Sequence, residues 1–156
     1  MYIWLMRHGR APLTDGEDAK RQLSTRGLAD VSKTAGTMAT YVRTGQTVVY
    51  CSPTVRTAET ADIVCSAFGI DRAVPSVYLE NGDLGALYRY ILINNRNSTV
   101  ILVGHTPYLE AWLRLWTGTS LEFSRAAAAL IDCDLDEGAV GQGKILAYLN
   151  PSALPG

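Results

Sequence analysis

The chain has only two histidines, and each stands just past an apolar run. His8 follows Tyr2 to Met6 with Arg7 between, and His105 follows Thr99 to Val103 with Gly104 between. A neutral imidazole is a competent nucleophile near pH 7, whereas a serine hydroxyl needs a partnered base. Arginine presents a planar fork of donors that matches phosphate oxygens. Arg7 sits beside His8, and Arg56 falls in the first turn of the helix expected after the apolar run Thr47 to Cys51. Nearby guanidiniums also lower the pKa of an imidazole and keep it unprotonated. These four side chains suit displacement at a phosphoryl group. One ring nitrogen of His8 would attack phosphorus while the other donates its proton to a backbone carbonyl.

Each residue alone has an ordinary explanation. A histidine after a strand is commonly a satisfied structural residue, and a single arginine is commonly a solvated charge. Four cationic or proton-carrying groups at three strand ends would repel one another unless they shared an anion. That repulsion favours a common anion-holding cleft.

The elements that must position them follow from periodicity. Tyr2 to Met6 is a short continuous apolar run, as expected for a buried strand of a parallel sheet. Residues 9 to 27 are polar and rich in Gly, Asp, Arg and Ser, which predicts a long functional loop over one end of the sheet. Leu28, Val31, Ala35, Met38 and Val42 predict an amphipathic helix ending near Gly45, and Thr47 to Cys51 a second strand. Ser52 and Pro53 read as an N-cap and first-turn proline, with Val55, Ala58, Ala61, Cys65 and Phe68 on the buried face up to Gly69.

A weaker strand from Val74 to Leu79 comes next, then a helix with Leu84, Leu87, Tyr88, Ile91 and Leu92, and the strand Thr99 to Val103. Thr106 and Pro107 repeat the cap-then-proline opening before a helix with Tyr108, Leu109, Trp112, Leu113 and Trp116 on one face. Two runs, Ala127 to Ile131 and Ile145 to Leu149, predict a terminal β-hairpin. The fold class is α/β, a three-layer sandwich whose mostly parallel central sheet has helices on both faces. Ligands on such sheets bind at the carboxyl ends of the strands.

Composition narrows the remaining classes. At 156 residues the chain suits one domain, spanning 1–156. Lysine and arginine total 14 against 15 for aspartate and glutamate, a balance with no footprint for nucleic acid or an anionic membrane. The opening apolar run is too short for a signal region or a membrane span, so a cytoplasmic protein is expected. Cys51, Cys65 and Cys133 are odd in number, widely spaced and set in apolar patterns, which predicts buried thiols rather than disulfides or a zinc site.

Arg7-His8-Gly9 after an N-terminal strand, Ser52-Pro53 with Arg56 and Thr60 on the next helix, and Gly104-His105 together resemble the histidine phosphatase superfamily, whose fold is phosphoglycerate mutase-like. The short length, the turn Leu23-Ser24-Thr25-Arg26-Gly27 and the final strand running into Asn150-Pro151 are most similar to SixA-type phosphohistidine phosphatases. The resemblance implies that His8 becomes a phosphohistidine intermediate, that Arg7, Arg56 and His105 bind the phosphoryl oxygens, and that water hydrolyses the intermediate. It also implies an acid for the leaving group, for which the sequence offers Glu80 or Asp83, with Glu80 taken as the candidate. A phosphohistidine substrate can also leave with a proton already on its imidazole, which reduces the need for either.

Relatives acting on small sugar phosphates insert a helical lid between the second arginine and the second histidine. Here residues 57 to 104 are consumed by the elements above, which leaves no room for one. An open site suits a phosphohistidine displayed on another protein. The alternatives are small phosphorylated metabolites as substrates, or an inactive module that binds phosphorylated partners. No cofactor and no metal is expected, because guanidiniums and helix ends supply the positive charge. The sequence is silent on oligomeric state. Trp4, Trp112, Trp116, Tyr88 and Tyr90 are expected in the core. Asp132, Asp134, Asp136 and Glu137 lack EF-hand offsets and read as a solvated turn.

Overall fold

The computed structural model describes residues 1–41, 45–136 and 140–156; Val42 and Glu137, named above, lie outside the described residues. Six strands form one sheet in the order β3-β2-β4-β1-β5-β6. They are β1 (Tyr2–Arg7), β2 (Thr47–Cys51), β3 (Val74–Pro75), β4 (Thr99–Gly104), β5 (Ala128–Asp132) and β6 (Lys144–Leu149). β1, β2, β3 and β4 are mutually parallel, while β5 pairs antiparallel with both β1 and β6. The expected mostly parallel sheet and terminal hairpin are both present.

Side chains alternate across a strand, so a strand apolar at every position has to be covered on both faces. On β1, Trp4 and Met6 join Val31, Ala35, Met38, Ala61 and Val64 of α1 (Thr25–Met38) and α2 (Val55–Phe68). Ile3 and Leu5 point the other way, into a second cluster with Leu87, Leu109, Trp112 and Leu113. That second layer is built from α3 (Val77–Asn81), α4 (Leu84–Leu87) with the π turn Tyr88–Leu92, and α5 (Tyr108–Thr117). The result is the three-layer sandwich that the periodicity implied.

Several boundaries differ from the sequence expectations. The first helix starts at Thr25, where Ser24 Oγ accepts from Gly27 N at 3.0 Å, and it ends at Met38 instead of near Gly45. Leu28 is exposed rather than part of its buried face. The strand expected over Val74 to Leu79 is only two residues long. Pro75 has no N–H to extend the ladder, and the backbone coils into α3, with Gly82 in the left-handed conformation at its end. Tyr90 is exposed and stacks on Tyr78, and Tyr88 is half-buried with its hydroxyl donating to Leu135 O.

The three tryptophans and three cysteines are buried, and the cysteines are free thiols. Burial pushes the Cys51 and Cys133 thiols up to about 11, where little reactive thiolate forms. Among the described residues no helix is long and apolar enough to cross a membrane, and no group of His, Cys, Asp or Glu could hold a metal ion.

Candidate active site

Strand register brings the key residues level. Arg7 of β1 pairs with Gly104 of β4, and Cys51 of β2 pairs with Val103 of β4. One residue further on, His8, His105 and Ser52 leave three adjacent strands at the same edge. The ladder continues just past the strands, with His8 N donating to Gly104 O at 3.2 Å and Ser52 N to Val103 O at 3.1 Å. The imidazoles of His8 and His105 then face each other with ring centroids 5.5 Å apart.

His8 is 8% exposed and tightly held. Its Nδ1 lies 2.7 Å from Gly9 O, so the carbonyl accepts a proton there and leaves Nε2 with a free lone pair. Its own carbonyl accepts from Ala126 N at 3.0 Å, and Gly9 N donates to Thr60 Oγ1 at 3.1 Å. The Thr60 hydroxyl donates in turn to Arg56 O at 2.7 Å, tying the turn after β1 to α2. The turn also needs room. A Cβ on Gly9 would meet Val31 Cγ2 at 2.6 Å, and one on Gly27 would meet Arg10 O at 2.3 Å. Glycine at both positions lets α1 close over the residues that follow His8.

Burial pushes His8 down from 6.5 to about 3; the Gly9 carbonyl opposes this, and the charges of His105, Arg56 and Arg7 add to it. His105 is pushed down to about 4, again by burial first, then by Arg56, with Asp18 opposing. Both rings are therefore neutral at pH 7. His105 Nε2 lies 2.8 Å from Ser52 Oγ, and Ser52 is fully buried. Ser52 is thus a partner of His105 and not the cap of α2. The N-cap position belongs to Thr54, whose hydroxyl engages Thr57 Oγ1 at 2.6 Å. Likewise the N-cap position of α5 falls on Pro107 and not Thr106.

The two arginines approach from opposite sides. Arg7 Nη1 donates to Phe123 O at 2.9 Å, and the N–H of Phe123 donates to Glu110 Oε1 at 3.1 Å. Arg56, 7% exposed, donates from Nη1 to Asp18 O at 3.0 Å and lies with Nη2 3.4 Å from Asp18 Oδ2. Burial is the main influence lowering the pKa of both guanidiniums, which marks positive charge held at a cost. Of the two acids, Asp83 is occupied in capping α4, its Oδ1 accepting from Ala86 N at 3.0 Å. Glu80 is exposed on α3, close enough for its charge to favour the Arg56 cation.

Three residues at this edge were missed by sequence reasoning: Asp18, Arg21 and Ser52. Asp18 and Arg21 lie in the long polar loop, where nothing periodic distinguishes one charge from another. Ser52 was hidden because serine before proline reads as a helix cap.

The family model of the histidine phosphatase superfamily (branch 1) matches residues 3–81, just over half of the chain. The protein belongs to the histidine phosphatase superfamily. Within it, the fold is like that of SixA proteins. The structure of the protein histidine phosphatase SixA complexed with tungstate shares 23% identity at a TM-score of 0.80, covering 97% of this chain and 98% of that one. A chain assigned as the phosphohistidine phosphatase SixA of Agrobacterium tumefaciens shares 22% identity at 0.76, with 96% and 97% covered. One so assigned from Nakamurella multipartitia shares 22% at 0.74, with 97% and 96% covered. No curated protein sequence matches the chain significantly.

Proposed function

We propose that this protein is a phosphatase that removes the phosphoryl group from phosphohistidine on another protein, through a covalent intermediate on His8. The observation that carries the reading is the neutral His8 ring, anchored through Nδ1 to Gly9 O at 2.7 Å, among His105, Arg7 and Arg56. An unprotonated imidazole with one fixed tautomer is ready to attack, and largely buried guanidiniums suit the developing charge on the phosphoryl oxygens.

In the first step the Nε2 lone pair of His8 forms a bond to phosphorus while the phosphorus bond to the substrate's imidazole breaks. The leaving imidazole departs neutral, its proton either already present on its second nitrogen or supplied by Glu80. Arg7, Arg56 and His105 hold the oxygens as charge redistributes, with Ser52 keeping the His105 ring in place. Water then attacks phosphorus opposite Nε2. The bond to His8 breaks with its electron pair returning to the ring, and the water's proton goes to the released phosphate.

A protein substrate is supported by how residues 57 to 104 are spent: the rest of α2, then β3, α3, α4 with its following turns, and β4. On this reading one domain spans 1–156 with no inserted lid. The likeness in fold to a protein histidine phosphatase that binds tungstate, a tetrahedral oxyanion, supports the same chemistry. A cytoplasmic location is consistent with this substrate class.

His8→Ala is expected to lower turnover of a phosphohistidine protein by about 10⁴-fold or more, measured as phosphate release. Retained turnover would remove His8 as nucleophile. A substrate panel in which small phosphomonoesters outperform phosphohistidine protein would transfer the activity to metabolites. Binding of the phosphoprotein without phosphate release would make the protein a binding module.

A further inference from the structure

The loop between β1 and α1 brings a third guanidinium to the pocket. Arg21, whose side chain is 16% exposed, donates from Nη1 to Ala11 O at 2.7 Å. Its Nε lies 3.0 Å from Asp18 Oδ1, an ion pair out of line for a hydrogen bond. The other oxygen of the same carboxylate, Oδ2, lies 3.4 Å from Arg56 Nη2. A single carboxylate therefore bridges Arg21 and Arg56. Arg21 is the foremost charge opposing the Arg56 cation, and it also disfavours protonation of His105.

A second observation sets Arg21 with the residues already assigned to the pocket. Among the described residues, the buried side-chain polar atoms without a hydrogen-bond partner include Nε of Arg7, of Arg56 and of Arg21. A buried N–H without a partner is costly, and an anion that accepts from it relieves that cost. The oxygens of a phosphoryl group are spaced much like those of a carboxylate and carry more charge, so the same two forks can take either. The carboxylate is the more readily displaced of the three groups, because Asp18 is 69% exposed while the Arg56 side chain is 9% exposed.

We propose that Arg21 is a third phosphoryl-binding guanidinium, and that the Asp18 carboxylate bridging it to Arg56 is an internal anion that the incoming phosphoryl group displaces. The proposal rests on reading the histidine and arginine cluster as the phosphoryl pocket. Asp18 swings toward solvent as the phosphoryl enters and returns as phosphate leaves, so it competes with product for the same guanidiniums. Weakly bound anions are rejected, and product release is assisted.

The test is the affinity of orthovanadate, measured calorimetrically on the whole chain. Asp18→Asn keeps the shape and removes the competing charge, and it is expected to tighten binding about threefold. Arg21→Ala is expected to weaken binding about tenfold, with Arg21→Lys between the two because it keeps the charge and loses the fork. Opposite directions for Asp18→Asn and Arg21→Ala are the signature. If the Asp18–Arg21 pair only braced the loop, breaking it from either side would weaken binding alike, and that result would overturn the proposal. Unchanged affinity in Asp18→Asn or in Arg21→Ala would overturn it as well. Wild-type protein that bound no vanadate would overturn both this proposal and the phosphatase reading. Tight wild-type binding that Asp18→Asn failed to improve would overturn only this one.

Discussion

The two ends of the central sheet treat charge in opposite ways. At the amino end of β1, the terminal amine lies 3.8 Å from Asp132, and Arg96 pairs with Asp136 at 3.6 Å. Both acids are largely exposed, beside a hollow of about 420 Å³ lined by Met1, Arg96, Asp132, Cys133, Asp134, Leu135 and Asp136. At the carboxyl end, Arg56 is buried, Arg7 is half-buried, and each keeps an Nε with no partner beside two neutral imidazoles. At the amino end the pairs involve exposed carboxylates, while at the carboxyl end the guanidiniums are largely buried and, beyond the exposed Asp18 carboxylate, keep donors free for an anion. Space alone does not locate chemistry; donors held out of water without acceptors do.

This contrast is broken most severely if the wrong end matters. Arg56→Ala is expected to lower kcat/KM on a phosphohistidine protein by about 10²- to 10³-fold, as expected when a donor to transition-state charge is lost. Arg96→Ala, which removes an exposed charge at the other end, is expected to stay within about twofold. Equal losses from the two variants would erase the distinction. A finer test concerns the hydroxyl on His105. Ser52→Ala is expected to lower kcat about tenfold with KM little changed, because the ring loses the partner that orients it. Ser52→Thr, which keeps the hydroxyl, is expected to recover part of the loss. A Ser52→Ala enzyme with unaltered kcat would make the 2.8 Å contact incidental.

Much of this architecture was legible in the sequence because apolar runs dominate it. β1 and β4 are continuous buried runs, β2 is a largely apolar run buried at Val49 and Cys51, and α5 carries Leu109, Trp112, Leu113 and Trp116 at helical spacing. The residues after those strands were therefore legible too, and His8, Arg56 and His105 were found as strand-end neighbours. The segment 74–81 was not legible. Its apolar residues fit a short strand as well as a short helix, and Pro75 at the sheet edge decided between them. Arg21 and Asp18 acquire meaning only through a contact with Arg56 across 38 residues of chain, which no local pattern encodes. Ser52 was legible as a residue type but assigned to the wrong partner.

Neutral imidazoles held in a cationic pocket are the centre of this chemistry, and an NMR titration of the two histidines tests for them directly. His8 and His105 are expected to remain unprotonated as pH falls through 6.5, with His105 titrating near 4 and His8 near 3. The unfolded chain takes up those protons near 6.5, so stability should be full above that pH and decline as pH falls through 4 toward 3, read as a falling Tm. Added vanadate should raise both histidine pKa values by supplying the missing negative charge. Titration of His8 at its ordinary 6.5, with no response to vanadate, would contradict a buried, anion-seeking pocket and the mechanism built on it.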